Sequence, residues 1–453
     1  MGSKMMDEVT ATLVHLIRQT DLDRRPDLFR QSKIAFLDYL ASALQAAREP
    51  QVQKMARWAE TFPGRAHLLG LPGTSHPFMA AFFNGFQSHY LDLDDAQSSI
   101  AGHFSTLLFS VLLAESTPEV PVKAFLTAYN VGAELEGILG GYLNPQHKRQ
   151  GWHSTGTLGS IGGAGALASL KQLRPEDTAN LLSLGATQSA GLGLEAGSDG
   201  KPLHAGFAAR NAVFAWEMVR YTRVTASLRP FNNDNGWQQV FGSLTLDPEE
   251  LEQKWLNPGQ ILAPGLWMKL HPYCSAAIGG AAACRELFRR GYTLDKLREV
   301  TFHFPPGADK ALHYPAPETG KEGKFSVEYV GWQILTRGGE EDILFDLPQV
   351  PEAFRQALPK FHRANDLPPV EKTVRRTVIT GVTLEGEPVE AEVPDPLGSP
   401  QHPFSEEDLE EKLIRAKGEA WTRKLLDKMA DWPRGNLGEI LPLLYDERGY
   451  EHD

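Results

Sequence analysis

Apolar residues recur at helical spacing through most of the first 265 or so positions: Val9 to Ile17, Ile34 to Leu44, Phe78 to Tyr90, Leu107 to Ala114 and Val122 to Leu139. The spacing continues in Ala164 to Leu170, Thr178 to Leu192 and Ala208 to Val219, predicting a largely helical first part. Many of these segments are rich in alanine and glycine, which lets helices approach closely. Glycines gather in Gly156 to Gly165, a pattern loosely like a phosphate-binding loop, but no predicted strand precedes it. The segment is therefore read as the start of a tightly packed helix.

The texture changes after Pro264. Ser275 to Arg290 predicts a helix, and Arg298 to Phe304 alternates like a strand before Pro305-Pro306 stops it. Phe325 to Leu335 is helical again. Val374 to Thr383 and Pro388 to Val393 flank Leu384-Glu-Gly-Glu387, which predicts a β-hairpin turning at the glycine. Pro394 to Pro400 is a linker by composition. Ser405 then caps a final helical stretch whose first turn carries acids. The fold class expected is mainly α: a helical domain over 5–267, a smaller α+β domain over 268–398, and a helical tail over 399–453 that completes the first domain.

Length agrees with this division, since 453 residues exceed one ordinary core. No stretch approaches the roughly 20 apolar residues of a membrane span. Met1 to Asp21 shows no apolar signal core followed by a small-residue cleavage site. Two cysteines, Cys274 and Cys284, argue against a disulfide scaffold and for a reducing, cytoplasmic setting; they are also too few for an iron–sulfur cluster held by one chain. A net charge of −12 argues against nucleic acid or an anionic membrane as partner. An anionic substrate would need a local group of cations.

Four places concentrate reactive side chains. Asp92-Leu-Asp-Asp95 and His103 follow the apolar helix Phe78 to Tyr90, where acids oppose the helix dipole. They read either as a solvated loop or cap, or as a carboxylate that orients a histidine for proton transfer. Their spacing matches no defined metal-ligand motif. His153, in Gly151-Trp-His-Ser-Thr155, is either a structural histidine or one that glycines bring close to a ligand. Lys201 precedes Pro202 at a helix start and His204 follows; this is either a surface lysine or part of an anion site. Lys269, His271 and Cys274 lie in Met268-Lys-Leu-His-Pro-Tyr-Cys274 at the expected domain junction, read either as a plain linker or as part of a binding site. Together these residues suit proton abstraction next to a carboxylate, with lysines stabilising charge on its oxygens and histidine moving the proton.

With those residues laid out, the sequence resembles the MmgE/PrpD family of 2-methylcitrate dehydratases, cis-aconitate decarboxylases and iminodisuccinate epimerases. The resemblance runs through Ile34-Ala-Phe-Leu-Asp-Tyr-Leu-Ala-Ser42, His89-Tyr-Leu-Asp-Leu-Asp-Asp95, Gly151-Trp-His153 and Gly200-Lys-Pro-Leu-His-Ala-Gly206. It continues through Lys269-Leu-His-Pro-Tyr-Cys274, Phe325-Ser-Val-Glu-Tyr329 and Gly398-Ser-Pro400. It implies a helical domain with an inserted α+β lid, a homodimer, and chemistry without metal or organic cofactor. It implies Asp92, His103, His153, Lys201 and Lys269 as catalytic residues, with His204, His271 and Cys274 at the substrate. Three departures stand out: Ala96 replaces the usual threonine, Phe104-Ser105 follows His103 without the usual proline, and Cys274 replaces a histidine of the decarboxylase.

The activity expected is a lyase or isomerase acting on a small di- or tricarboxylate. Dehydratase-like elimination comes first, with epimerisation of an amino- or imino-dicarboxylate and decarboxylation as alternatives. Two competing classes are a ligand-binding relative that has lost catalysis and a metal-dependent hydrolase built on Asp92 and His103.

Overall fold

The structure, a computed structural model, describes residues 6–231, 235–242, 245–371 and 374–445. Residues 1–5, part of the stretch read above for a leader, lie outside them. The chain divides into two compact units. The first comprises Met1–Leu194, Pro202–Leu266 and Ser405–Asp453; the second comprises Glu195–Lys201 and Trp267–Phe404.

Helices build the first unit: α1 (Glu8–Gln19), α2 (Pro26–Ala46), α3 (Pro50–Ala59), α4 (Pro77–Tyr90), α5 (Ser105–Glu115), α6 (Val122–Leu143), α7 (Ser154–Leu170) and α8 (Pro175–Ala186). Helix α9 (Gly200–Glu217) begins at Gly200-Lys201, which cluster with the second unit, and its remainder belongs to the first. Their starts follow local chemistry. Asp7 caps α1 by accepting from the Thr10 amide, and prolines occupy the first turn of α2, α3, α4 and α8. Every residue of α5 is buried, so it is apolar on all sides as a central helix must be. Phe36, Phe109, Phe125, Tyr129 and Trp432 form the aromatic centre of this core, with Phe109 and Tyr129 stacked at 4.1 Å.

The glycine cluster lies wholly inside α7 and is buried against α6 and α5, not arranged as a phosphate loop. The small residues serve close approach. A Cβ on Gly206 of α9 would lie 2.6 Å from the Phe82 carbonyl of α4, and one on Gly85 would lie 3.0 Å from the Ala205 carbonyl. Those two helices therefore run almost backbone to backbone, which brings the end of α4 near His204.

The second unit is α+β. Its four-stranded sheet consists of β1 (Leu297–His303), β2 (Phe361–Ala364), β3 (Val378–Thr383) and β4 (Pro388–Glu392), in the order β2-β1-β3-β4. The β1–β2 pair is parallel and the other pairs are antiparallel. Helix α10 (Ile278–Arg289) packs against β3, β4 and α11 (Val327–Arg337). The hairpin turns at Gly386, whose φ of 89° suits glycine.

Beyond residue 404 the chain rejoins the first unit as α12 (Glu406–Lys417) and α13 (Glu419–Lys428). Ser405 and Asp408 form a capping box at the start of α12.

Several element boundaries differ from the sequence pattern. The helix expected over Thr178 to Leu192 ends at Ala186, where the Gln188 amide turns back to the Gly185 carbonyl. The strand expected from Val374 begins at Val378, because pairing with β1 starts there. Strand β2 was not evident in the sequence.

Candidate active site

Helix α4 ends at Tyr90, and the next turn carries Asp92 with φ 56°, in the left-handed region that non-glycine residues seldom occupy. This turn swings Asp92, Asp94 and Asp95 into the protein interior, where all three are buried. The acids that oppose the α4 dipole are met by a histidine in its last turn. His89 Nδ1 donates to Asp94, at 2.9 Å from Oδ1 and 3.0 Å from Oδ2.

His103 sits on the same carboxylate. Its Nδ1 lies 3.1 Å from Asp94 Oδ2 and 2.6 Å from the Asp95 carbonyl oxygen, while Nε2 faces Asp92 Oδ1 at 3.6 Å. Both Nδ1 partners are acceptors, so Nδ1 carries the hydrogen. The opposite nitrogen, Nε2, then faces the Asp92 carboxylate. The His103 amide donates to Thr155 Oγ1 at 3.0 Å, which fixes the backbone as well as the ring.

Electrostatics separate the neighbouring acids. Burial alone would raise the Asp94 pKa, but the charges of His89 and His103 outweigh it and hold Asp94 well below the usual carboxylate range. Burial, reinforced by repulsion from Asp38, holds the Asp95 pKa well above that range. Ser105 Oγ donates to Asp95 Oδ2 at 2.5 Å and also meets Tyr129 Oη at 2.7 Å. Ser105 thus anchors this loop, and the His103 ring is buried beside it. Ala96 is buried and brings no hydroxyl to the loop.

The histidines continue as a row. The His89 and His103 ring centres are 4.4 Å apart, His89 and His153 are 6.3 Å apart, and His153 and His204 are 5.1 Å apart. His153 precedes α7, and its backbone amide donates to the Gly191 carbonyl. Its Nδ1 is 2.9 Å from His204 Nδ1, so one ring donates and the other accepts. Asp92, His103, His153 and His204 therefore lie in one connected group of the first unit.

The remaining sequence-predicted residues lie in the second unit. Lys201 Nζ is 5.4 Å from the centre of the Phe325 ring, and Lys269 is buried. His271 Nδ1 donates to Asp342 Oδ1 at 3.0 Å, and its Nε2 lies 3.8 Å from Glu340 Oε2. The Cys274 amide donates to the Lys324 carbonyl, and its thiol is reduced and partly exposed.

Among the described residues, His89, Asp92, Asp94 and His103 are also a group able to reach one metal ion, with ligand atoms within 4.8 Å of one another. Binding there would replace hydrogen bonds that Asp94 now makes to the two rings. His89 was not singled out in the sequence, and which of the three acids meets His103 was left open there. The available signal was the five-residue spacing between a last-turn histidine and an acid.

A family model described as MmgE/PrpD N-terminal domain matches residues 8–248. A cis-aconitate decarboxylase-like protein, oryM, of Aspergillus oryzae is 28% identical over 370 residues, covering 73% of this chain and 74% of that protein. Cis-aconitate decarboxylase of Mus musculus is 24% identical over 438 residues, covering 90% of this chain and 86% of its own. The Homo sapiens cis-aconitate decarboxylase is 24% identical over 357 residues, covering 75% and 72%. Among the described residues, no helix is long and apolar enough to cross a membrane.

Proposed function

The chain belongs to the MmgE/PrpD family and is an enzyme of the lyase type, and from that premise we propose that it acts on a small di- or tricarboxylic acid by proton transfer at a carbon next to a carboxylate. The observation that carries this reading is the orientation of His103. Asp94 and the Asp95 carbonyl fix its Nδ1, which directs Nε2 toward Asp92 as the proton-carrying atom.

In this reading Asp92 and His103 exchange the proton with the substrate carbon. His153, tied to His204, handles a second proton or a substrate oxygen. Lys201 and Lys269 supply positive charge to the carboxylates and stabilise the enolate-like charge of the transition state. His271 and Cys274 are assigned to substrate binding. The second unit is read as a lid inserted into the helical domain, and the protein as a cytoplasmic homodimer. The chemistry is assigned to side chains, without metal or organic cofactor.

Decarboxylation takes first place, because relatives that span most of the chain carry that name. The bond to the departing carboxylate breaks, its electron pair stays on carbon, and His103 returns a proton to that carbon. Elimination of water, placed first by the sequence, uses His103 in the opposite sense: it removes the proton from carbon, the C–H pair forms the double bond, and the hydroxyl leaves as water with a proton from an acid. Ala96 and Cys274 favour a substrate other than the relatives' own.

Purified protein incubated with a panel containing cis-aconitate, 2-methylcitrate and amino-dicarboxylates tests the reading. Release of carbon dioxide supports decarboxylation, and new alkene absorbance without it supports elimination. Inversion of a stereocentre would shift the assignment to epimerisation. No product across the panel contradicts the proposal.

A further inference from the structure

We propose that Lys412, on the helix that follows the second unit in sequence, is a positioning residue that holds the Asp92 turn in its working shape. Lys412 and Asp38 are both fully buried, and Lys412 Nζ lies 2.5 Å from Asp38 Oδ1. The same ammonium donates to the Leu93 carbonyl at 2.9 Å. Leu93 is the residue after Asp92, whose φ of 56° persists only where surrounding contacts fix it.

Those contacts act on four consecutive residues, 92–95. The Asp92 amide donates to the His89 carbonyl, Lys412 holds the Leu93 carbonyl, Asp94 holds two imidazoles, and His103 holds the Asp95 carbonyl. Lys412 reaches this turn from far along the chain, as a side chain from outside residues 89–105. Helix α12 is seated for this task by its packing on α2, where Gln45 donates to the Lys412 carbonyl and Arg48 to the Ala416 carbonyl.

A buried ion pair adds little net stability over apolar residues of similar size, because desolvation offsets the attraction. Stability alone therefore gives weak reason for a lysine here, whereas its bond to the Leu93 carbonyl, in the loop that carries Asp92, gives a specific one. The inference rests on the proposed role of Asp92 and His103 in proton transfer.

The test compares the wild type, Lys412→Met and the double variant Asp38→Leu/Lys412→Met. The single variant leaves Asp38 without its cation and is expected to lower Tm. The double variant replaces both charges and keeps the fold if the pair were merely structural. Each folded protein is assayed for kcat and KM on the best carboxylate of the panel, and His103 is titrated by ¹⁵N NMR.

The expected result is a double variant with Tm near wild type, KM little changed, kcat lower by about 10- to 100-fold and a displaced His103 titration. Wild-type kcat together with an unchanged His103 titration in that variant would overturn the proposal. If the wild type turns over nothing in the panel, the functional reading fails. The NMR titration then decides the role of Lys412 on its own, displacement supporting it and identity with wild type overturning it.

Discussion

Asp94 Oδ2 lies 3.1 Å from His103 Nδ1, and the same carboxylate holds His89 Nδ1 at 2.9 Å, so one buried acid orients two imidazoles. An amide in its place keeps the size but carries a donor group and removes the charge. Asp94→Asn is therefore expected to leave the chain folded and to lower kcat by about 100-fold or more, through the wrong tautomer of His103. Steady-state kinetics with ¹⁵N shifts of the imidazole nitrogens check this. Unchanged kcat would remove Asp94 from the site.

Asp95 gives a pH dependence of defined sign. Its folded pKa is held well above the ordinary aspartate value of 3.8, by burial first and then by repulsion from Asp38. The folded chain thus keeps a proton that the unfolded chain releases above about pH 4. Stability is lost as pH rises from that value toward the folded pKa. Asp95→Asn removes the titration while keeping an acceptor for Ser105, so its Tm relative to wild type should improve as pH rises from 4 to 8. Thermal melts across that range check it, and a constant difference would contradict the assignment.

Helical segments were legible because their apolar positions recur around the whole helix or along a face, as in α5 and α7. The meeting of the acids after the apolar helix α4 with His103 was legible too, because such acids are unusual for surface loops. Which acid meets which histidine was not. That depends on the left-handed turn at Asp92, and an aspartate there carries no local signal of its φ. Strand β2 is only four residues long and exists through parallel pairing with β1. Lys412 sits within Glu-Glu-Lys-Leu-Ile-Arg and reads as a charged helix surface. Its buried partner Asp38 is 374 residues away, and local pattern holds no record of that pairing.

Lys201 and Lys269 are assigned to the substrate's carboxylates. Lys201→Ala and Lys269→Ala should each lower kcat/KM by about 100-fold with little change in Tm, since the loss falls on charge stabilisation. Kinetics paired with melting curves separate this from unfolding. Wild-type kcat/KM in both variants would remove the two lysines from the site.

Exhaustive chelation addresses the group His89, Asp92, Asp94 and His103, whose atoms lie close enough to share an ion. Proton transfer by side chains alone predicts undiminished activity after chelation and after dialysis into metal-free buffer. Activity lost on chelation and restored by one divalent metal would convert the group into a metal centre.

The central claim is that His103, oriented by Asp94 toward Asp92, moves a proton to or from carbon next to a carboxylate. Turnover of the active carboxylate in D₂O, followed by NMR with wild type and His103→Ala side by side, tests it most directly. The account predicts deuterium at that carbon, in the product of decarboxylation or in recovered substrate for elimination, and its loss in the variant. Deuterium incorporation at the wild-type rate in His103→Ala would contradict it.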